Sequence, residues 1–137
     1  MKYEEIRSAI TERMMAFPGL EQDRIVYPNQ SEVFEPPEEG LWCRLNIQFG
    51  QAFMAGMADQ PYTRKPGQIV VQCFERVRAG HGSLTMLADA LEAHFAYWSS
   101  GDLECLEASQ IVVGEISGQF QSNGFYQINV SIRFRAG

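Results

Sequence analysis

Two periodicities divide the chain. In residues 3–17, Tyr3, Ile6, Ala9, Ile10, Met14 and Phe17 recur at three- and four-residue intervals, which places them on one face of a helix that Pro18-Gly19 ends. A second stripe, Leu84, Leu87, Ala88, Leu91, Phe95 and Trp98, follows Ser83 as N-cap and stops at Ser99-Ser100-Gly101. Elsewhere the period is two. In LWCRLNIQF, residues 41–49, Leu41, Cys43, Leu45, Ile47 and Phe49 alternate with Trp42, Arg44, Asn46 and Gln48, the pattern of a strand with one buried face. QIVVQCFERV, residues 68–77, is a strand by its β-branched content. QIVVGEISGQF (110–120) and GFYQINVSIRF (124–134) form a hairpin about Ser122-Asn123-Gly124, since Asn-Gly between strand-like runs is a strong hairpin signal. A short strand is expected at 24–27, and the turn formers and glutamates of PNQSEVFEPPEEG make a surface loop.

The order is helix, strands, long hairpin, helix, hairpin. Without strand-helix-strand alternation there are no parallel crossovers, so the expected fold is α+β: a mainly antiparallel β-sheet with two helices packed on one face, as one domain over residues 1–137. Arg13 falls inside the first apolar stripe. Its side chain either snorkels along apolar surface or reaches a carboxylate of a neighbouring subunit.

The long hairpin contains GQAFMAGMADQPYTRKPG, residues 50–67. Its glycines and prolines suit a connector, yet it carries Phe53, Met54, Met57 and Tyr62. These side chains either fold back onto their own sheet or form one half of a contact between subunits, a use for which the adaptable Met side chain is well suited.

Composition narrows the chemistry. At 45% apolar and 20% charged residues the chain is of globular type, and 137 residues can bury a core without staples. A net charge of −6 with scattered Lys and Arg argues against nucleic-acid affinity and against an anionic membrane surface. Glu4 and Glu5 stand where a signal peptide needs a positive segment and then an apolar run, so a cytosolic start is expected. Cys43, Cys73 and Cys105 lie in or beside strand-like runs and are expected to be reduced, buried thiols.

Candidate chemistry is sparse. GxSxG, GxGxxG, Walker A and paired CxxC patterns do not occur. RAGHGSL, residues 78–84, could present free N–H groups to an anion at a helix start, but it lacks the P-loop lysine, and a turn needing glycine conformations accounts for it too. Cys73 with His81 could form a nucleophile pair, although alternation with Ile69 and Val71 points Cys73 into the core. His81 and His94 have no acidic partner at ligand spacing, Glu38 and Glu39 sit in a solvated loop, and Trp42 and Trp98 suit core or interface packing. No catalytic residue, cofactor or metal is expected.

Taken together, the helix ending at Pro18-Gly19, the strand beginning LWCRL, the block KPGQIVVQCFERVRAGHGSLTMLADALEAHF and the final GFYQINVSIRF resemble the bacteriophage tail-terminator proteins. These are small minor tail proteins of long non-contractile tails and their prophage relatives. The resemblance spans nearly the full chain and rests on the order of elements. It implies an antiparallel sheet flanked by helices and a hexameric ring that caps the tail tube, ends its polymerisation and receives the head-completion protein. No reaction is implied, and the location would be the virion tail, reached from the host cytoplasm. The acidic balance would then suit a lumen through which DNA passes without being held. Phe53, Met54, Met57 and Tyr62, with Arg13, are the candidate subunit-interface residues. A head-tail connector would fit the same elements, and a small-ligand or enzymatic domain on the same fold is the remaining alternative.

Overall fold

Both apolar stripes become helices, and they lie on the same face of one sheet. The computed structural model describes residues 1–55, 62–77, 82–116 and 124–137, with Tyr62 described by its backbone alone. Helix α1 spans Tyr3–Met15 and buries Ile6, Ile10 and Met14. Glu4 and Glu5 occupy its first turn, where acidic groups oppose the helix dipole, and the Glu5 carboxylate accepts the Lys2 backbone N–H at 3.2 Å. Helix α2 spans Gly82–Phe95 and buries Leu84, Leu87, Ala88, Leu91 and Phe95. It stops short of Trp98, because Tyr97 turns the chain in the left-handed region at φ 61°. Trp98 still packs against the core from outside the helix.

The strands are β1 (Ile25–Val26), β2 (Trp42–Phe49), β3 (Phe53–Ala55), β4 (Tyr62–Arg76), β5 (Ser99–Ser100), β6 (Leu103–Ile116) and β7 (Phe125–Ala136). The sheet order is β1-β2-β4-β7-β6-β5, with β3 also paired to β4. All pairs are antiparallel except β1 with β2. The expected α+β fold and its long hairpin are therefore present, with a short parallel pair added at one edge. The Ser122-Asn123 part of the final turn lies outside the described residues.

Alternation decides which face meets the helices. Cys43 and Leu45 of β2, Ile69, Val71 and Cys73 of β4, and Ile128, Val130, Ile132 and Phe134 of β7 are buried in one cluster with the apolar faces of α1 and α2. The opposite face carries amides that bond across strands, Gln68 to Gln48 at 2.7 Å and Asn46 to Gln72 at 3.3 Å. Arg133 and Arg135 there pair with Glu107 and Glu104.

Expectations for β6, for Trp42 and for Ser83, which lies inside α2 and not at its N-cap, need correction. The strand expected from residue 110 begins at Leu103, because irregularities between Cys105 and Ala108 and between Val112 and Gly114 shift the alternation and hide the period. Trp42, assigned by alternation to the polar face, is 4% exposed. It stacks on Phe74 at 4.1 Å and meets Phe34 at 5.0 Å and Phe125 at 5.4 Å. The loop before β2 thus supplies an aromatic lid at one end of the outer face. Arg76, lying 4.3 Å over the Phe125 ring, ties that loop down through the Pro37 carbonyl at 3.2 Å.

Candidate functional site

The arm begins where the sheet runs out. Pairing of β4 with β7 starts at Lys65 opposite Ala136, and among the described residues the strand that pairs with residues 62–64 of β4 is β3: Phe53 opposite Arg64, Met54 opposite Thr63, Ala55 opposite Tyr62. The result is a two-stranded ribbon continuing past the sheet, a structure that is marginal by itself and must be held at its root.

That root is crowded. Gly50 donates its N–H to the Pro66 carbonyl at 2.9 Å. The rings of Tyr3 and Phe49 meet edge-on at 4.8 Å, and those of Phe49 and Phe134 at 5.8 Å. Lys65 Nζ donates to the Met1 carbonyl at 2.7 Å and lies 5.2 Å over the Tyr3 ring. Gly67 makes this packing possible: a Cβ there would run into the Gln48 carbonyl and the Phe134 ring.

Beyond the root the arm is apolar and open. Phe53 is 51% exposed and Met54 67%, and because neighbours along a strand point to opposite faces, the ribbon shows an apolar group on each side. Each keeps half or more of its surface exposed. Met57 and the Tyr62 side chain lie outside the described residues.

Arg13 serves its own chain. Its guanidinium donates to the His94 carbonyl at 2.6 and 3.1 Å and sits 5.3 Å from the Trp98 ring. His94 Nε2 returns a hydrogen bond of 2.7 Å to the Arg13 carbonyl. These bonds staple α1 to α2 within the chain.

The staple is pH-sensitive. Burial holds the His94 imidazole below its ordinary value, with the bond to the Arg13 carbonyl opposing and the Arg13 charge adding to the depression. As Nε2 donates to a carbonyl, the neutral ring leaves Nδ1 bare, and the unfolded chain binds the second proton more readily. Stability from this group is complete above roughly pH 6.5 and is lost as pH falls below it. Urea midpoints at pH 7.5 and 5.5 are expected to fall further for the wild type than for His94→Gln. Glu4 and Glu107, held below the usual carboxylate value by hydrogen bonds, titrate in a lower window.

Burial keeps the three thiols in their neutral form. Cys43, Cys73 and Cys105 are free and buried. Burial pushes Cys43 up to about 12 and Cys105 to about 11, and raises Cys73 well above its ordinary value. Burial thus favours the neutral thiol at Cys73, and its suggested partner His81 lies outside the described residues. Among the described residues no three His, Cys, Asp or Glu side chains come together as a metal site, and no helix is long and apolar enough to cross a membrane.

One surface escaped the sequence reading. Ile111 is 55%, Val112 61% and Val113 46% exposed on β6, an apolar run on an outer strand. The signal was present: three consecutive apolar residues in a strand cannot all face one side.

The fold class these elements define is a two-layer α+β domain. No family model matches the chain, and no curated protein matches it. Among the solved structures that do match, one aligns over 100% of this chain and 96% of its own, with a TM-score of 0.68 and 18% identity. At that identity the likeness shows the shared fold alone.

Proposed function

We propose that this chain is a structural protein of long-tailed phages that closes into a ring on the end of the tail tube, stops tube growth and offers the surface for head joining. The observation that carries this reading is the projecting ribbon with Phe53 and Met54 exposed on its two faces. A soluble domain gains nothing from such a ribbon alone, and a contact between copies buries it. The resemblance of the helix-strand-arm-helix-hairpin order to tail terminators supplies the setting.

The mechanism is steric. A ring that matches the tube end but carries no copy of the tube's own polymerising surface leaves the next tube subunit without a site. Specificity then resides in the fit between ring and tube, and no bond is made or broken.

The test adds the purified protein to polymerising tube protein from the same genome and examines the products by negative-stain electron microscopy. Tubes of arrested length, with extra density at one end, are the expected result. Unchanged tube growth with unlabelled ends overturns the reading, and attachment to portal-bearing heads instead of tubes moves the chain to the connector class.

A further inference from the structure

We propose that the open edge of β6 beside α2 is the socket for the β3 arm of a neighbouring copy. The inference rests on the ring reading for its closure and goes beyond it by assigning both halves of the contact.

The edge is open over most of its length. β5 covers only Leu103 and Glu104, and the backbones of Tyr97 and Trp98 bond Leu106 and Cys105. From Glu107 to Ile116 no strand among the described residues pairs with the outer side of β6. Such an edge is a template for an added strand.

Its side chains match the arm on both faces. Val112 pairs with Ile128 and therefore shares the helix-bearing face, whereas Ile111 pairs with Asn129 on the opposite face. Helix α2 brings a further apolar group to the first of these. Tyr97 bonds Leu106 and Asp89 bonds Gln110, so helix and strand run in opposite directions in step, at roughly 1.5 and 3.3 Å per residue. That places Met86, 72% exposed, between the levels of Ile111 and Val112. A strand laid along β6 would set one of Phe53 and Met54 on Met86 and Val112 and the other beside Ile111. β3 is suited to this, being bonded on one side only among the described residues.

Charge favours the same occupant. Glu104 and Glu107 are paired with Arg135 and Arg133 of β7, so the acidic excess of α2 and β6 is that of Asp89, Glu92 and Glu115, whereas residues 50–67 carry Arg64 and Lys65 against Asp59. Opposite signs across an interface steer docking and set register.

The contact must be made between copies. Arg64, at the arm, is nine residues along β4 from Cys73, which is the residue level with Ile128 and Val112. That is about 30 Å along the strands, so one chain cannot fill its own socket. Two unlike patches at opposite ends of a subunit make a heterologous contact, which yields a ring when the rotation closes.

Complementary variants test this by sedimentation velocity. Phe53→Asp with Met54→Asp removes the arm, and Ile111→Lys with Val112→Lys removes the socket; all four positions are exposed, and circular dichroism verifies that each protein is folded. Each variant alone is expected to stay monomeric, with association weakened at least 100-fold. Mixed one to one, they retain one good arm and one good socket and should give a species of two chains that grows no further. As an independent readout, Met54→Cys with Val112→Cys should cross-link between copies under oxidation, the native thiols being buried. Closed rings from either variant, or a mixture that stays monomeric while the wild type forms rings, overturn the socket and leave the tube-capping reading standing. A wild type monomeric at every concentration also overturns it, and the microscopy of tube ends then decides the function separately.

Discussion

Replacing Phe95 by Ala is expected to destabilise the protein by about 3–5 kcal/mol, the range for removing a buried aromatic ring from a core that cannot fully collapse. Phe95 is fully buried in the last turn of α2, with its ring 5.2 Å from His94 and 6.3 Å from Trp98. Those two residues are the ones Arg13 engages, so the cavity would open beneath the staple between the helices. Against a total stability of roughly 5–15 kcal/mol, the loss should lower the melting temperature on the order of 10–20 °C. Phe95→Leu, which keeps most of the volume, should cost clearly less. Val33→Ala, at a position 93% exposed, should change stability by less than about 0.5 kcal/mol. Thermal unfolding by circular dichroism measures all three, and equal losses for Phe95→Ala and Val33→Ala would mean that the helix layer does not anchor the fold.

The sequence was legible where one physical requirement acted alone. The stripe Ile6, Ile10, Met14 and the alternation Ile128, Val130, Ile132, Phe134 each reflect a single element with one face against the core, and all seven residues are buried. It was illegible where two requirements met. In β6 the irregularities near Cys105 and Val112 break the period, so the strand is legible only from residue 110 although Leu103 and its neighbours pair with β7. Trp42 alternates as an outward residue, but the loop carrying Phe34 folds over that face and buries it. Residues 62–67, Tyr-Thr-Arg-Lys-Pro-Gly, have the composition of a connector, yet the backbone there is strand because β3 and β7 supply its partners. The apolar residues of the arm could be found by inspection. Their exposure could not, because it depends on β4 leaving β2 at Gly67 and continuing opposite β3, which only tertiary structure shows.

The arm is therefore a consequence of core packing, and the two glycines at its root allow that link to be measured. Gly67→Ala and Gly50→Ala are expected to act with opposite signs. At Gly67 a methyl group meets the Gln48 backbone and the Phe134 ring, so strands or ring must move; overpacking of this kind costs about 1–3 kcal/mol, and Gly67→Val should cost more. At Gly50 the same methyl finds only ordinary contacts with Pro66, at 3.5 and 3.7 Å. There the lower entropy of the unfolded chain should leave Gly50→Ala neutral or more stable by about 0.4–1 kcal/mol. The displaced ring in Gly67→Ala also touches Phe49, which packs on Tyr3, so the strain passes to the side chains that aim the ribbon. Gly67→Ala should thus lose association between copies even at temperatures where it remains folded, whereas Gly50→Ala keeps it. Urea unfolding and sedimentation velocity on the two variants read the two effects separately. Unimpaired association of a destabilised Gly67→Ala would show that the arm is positioned independently of the core.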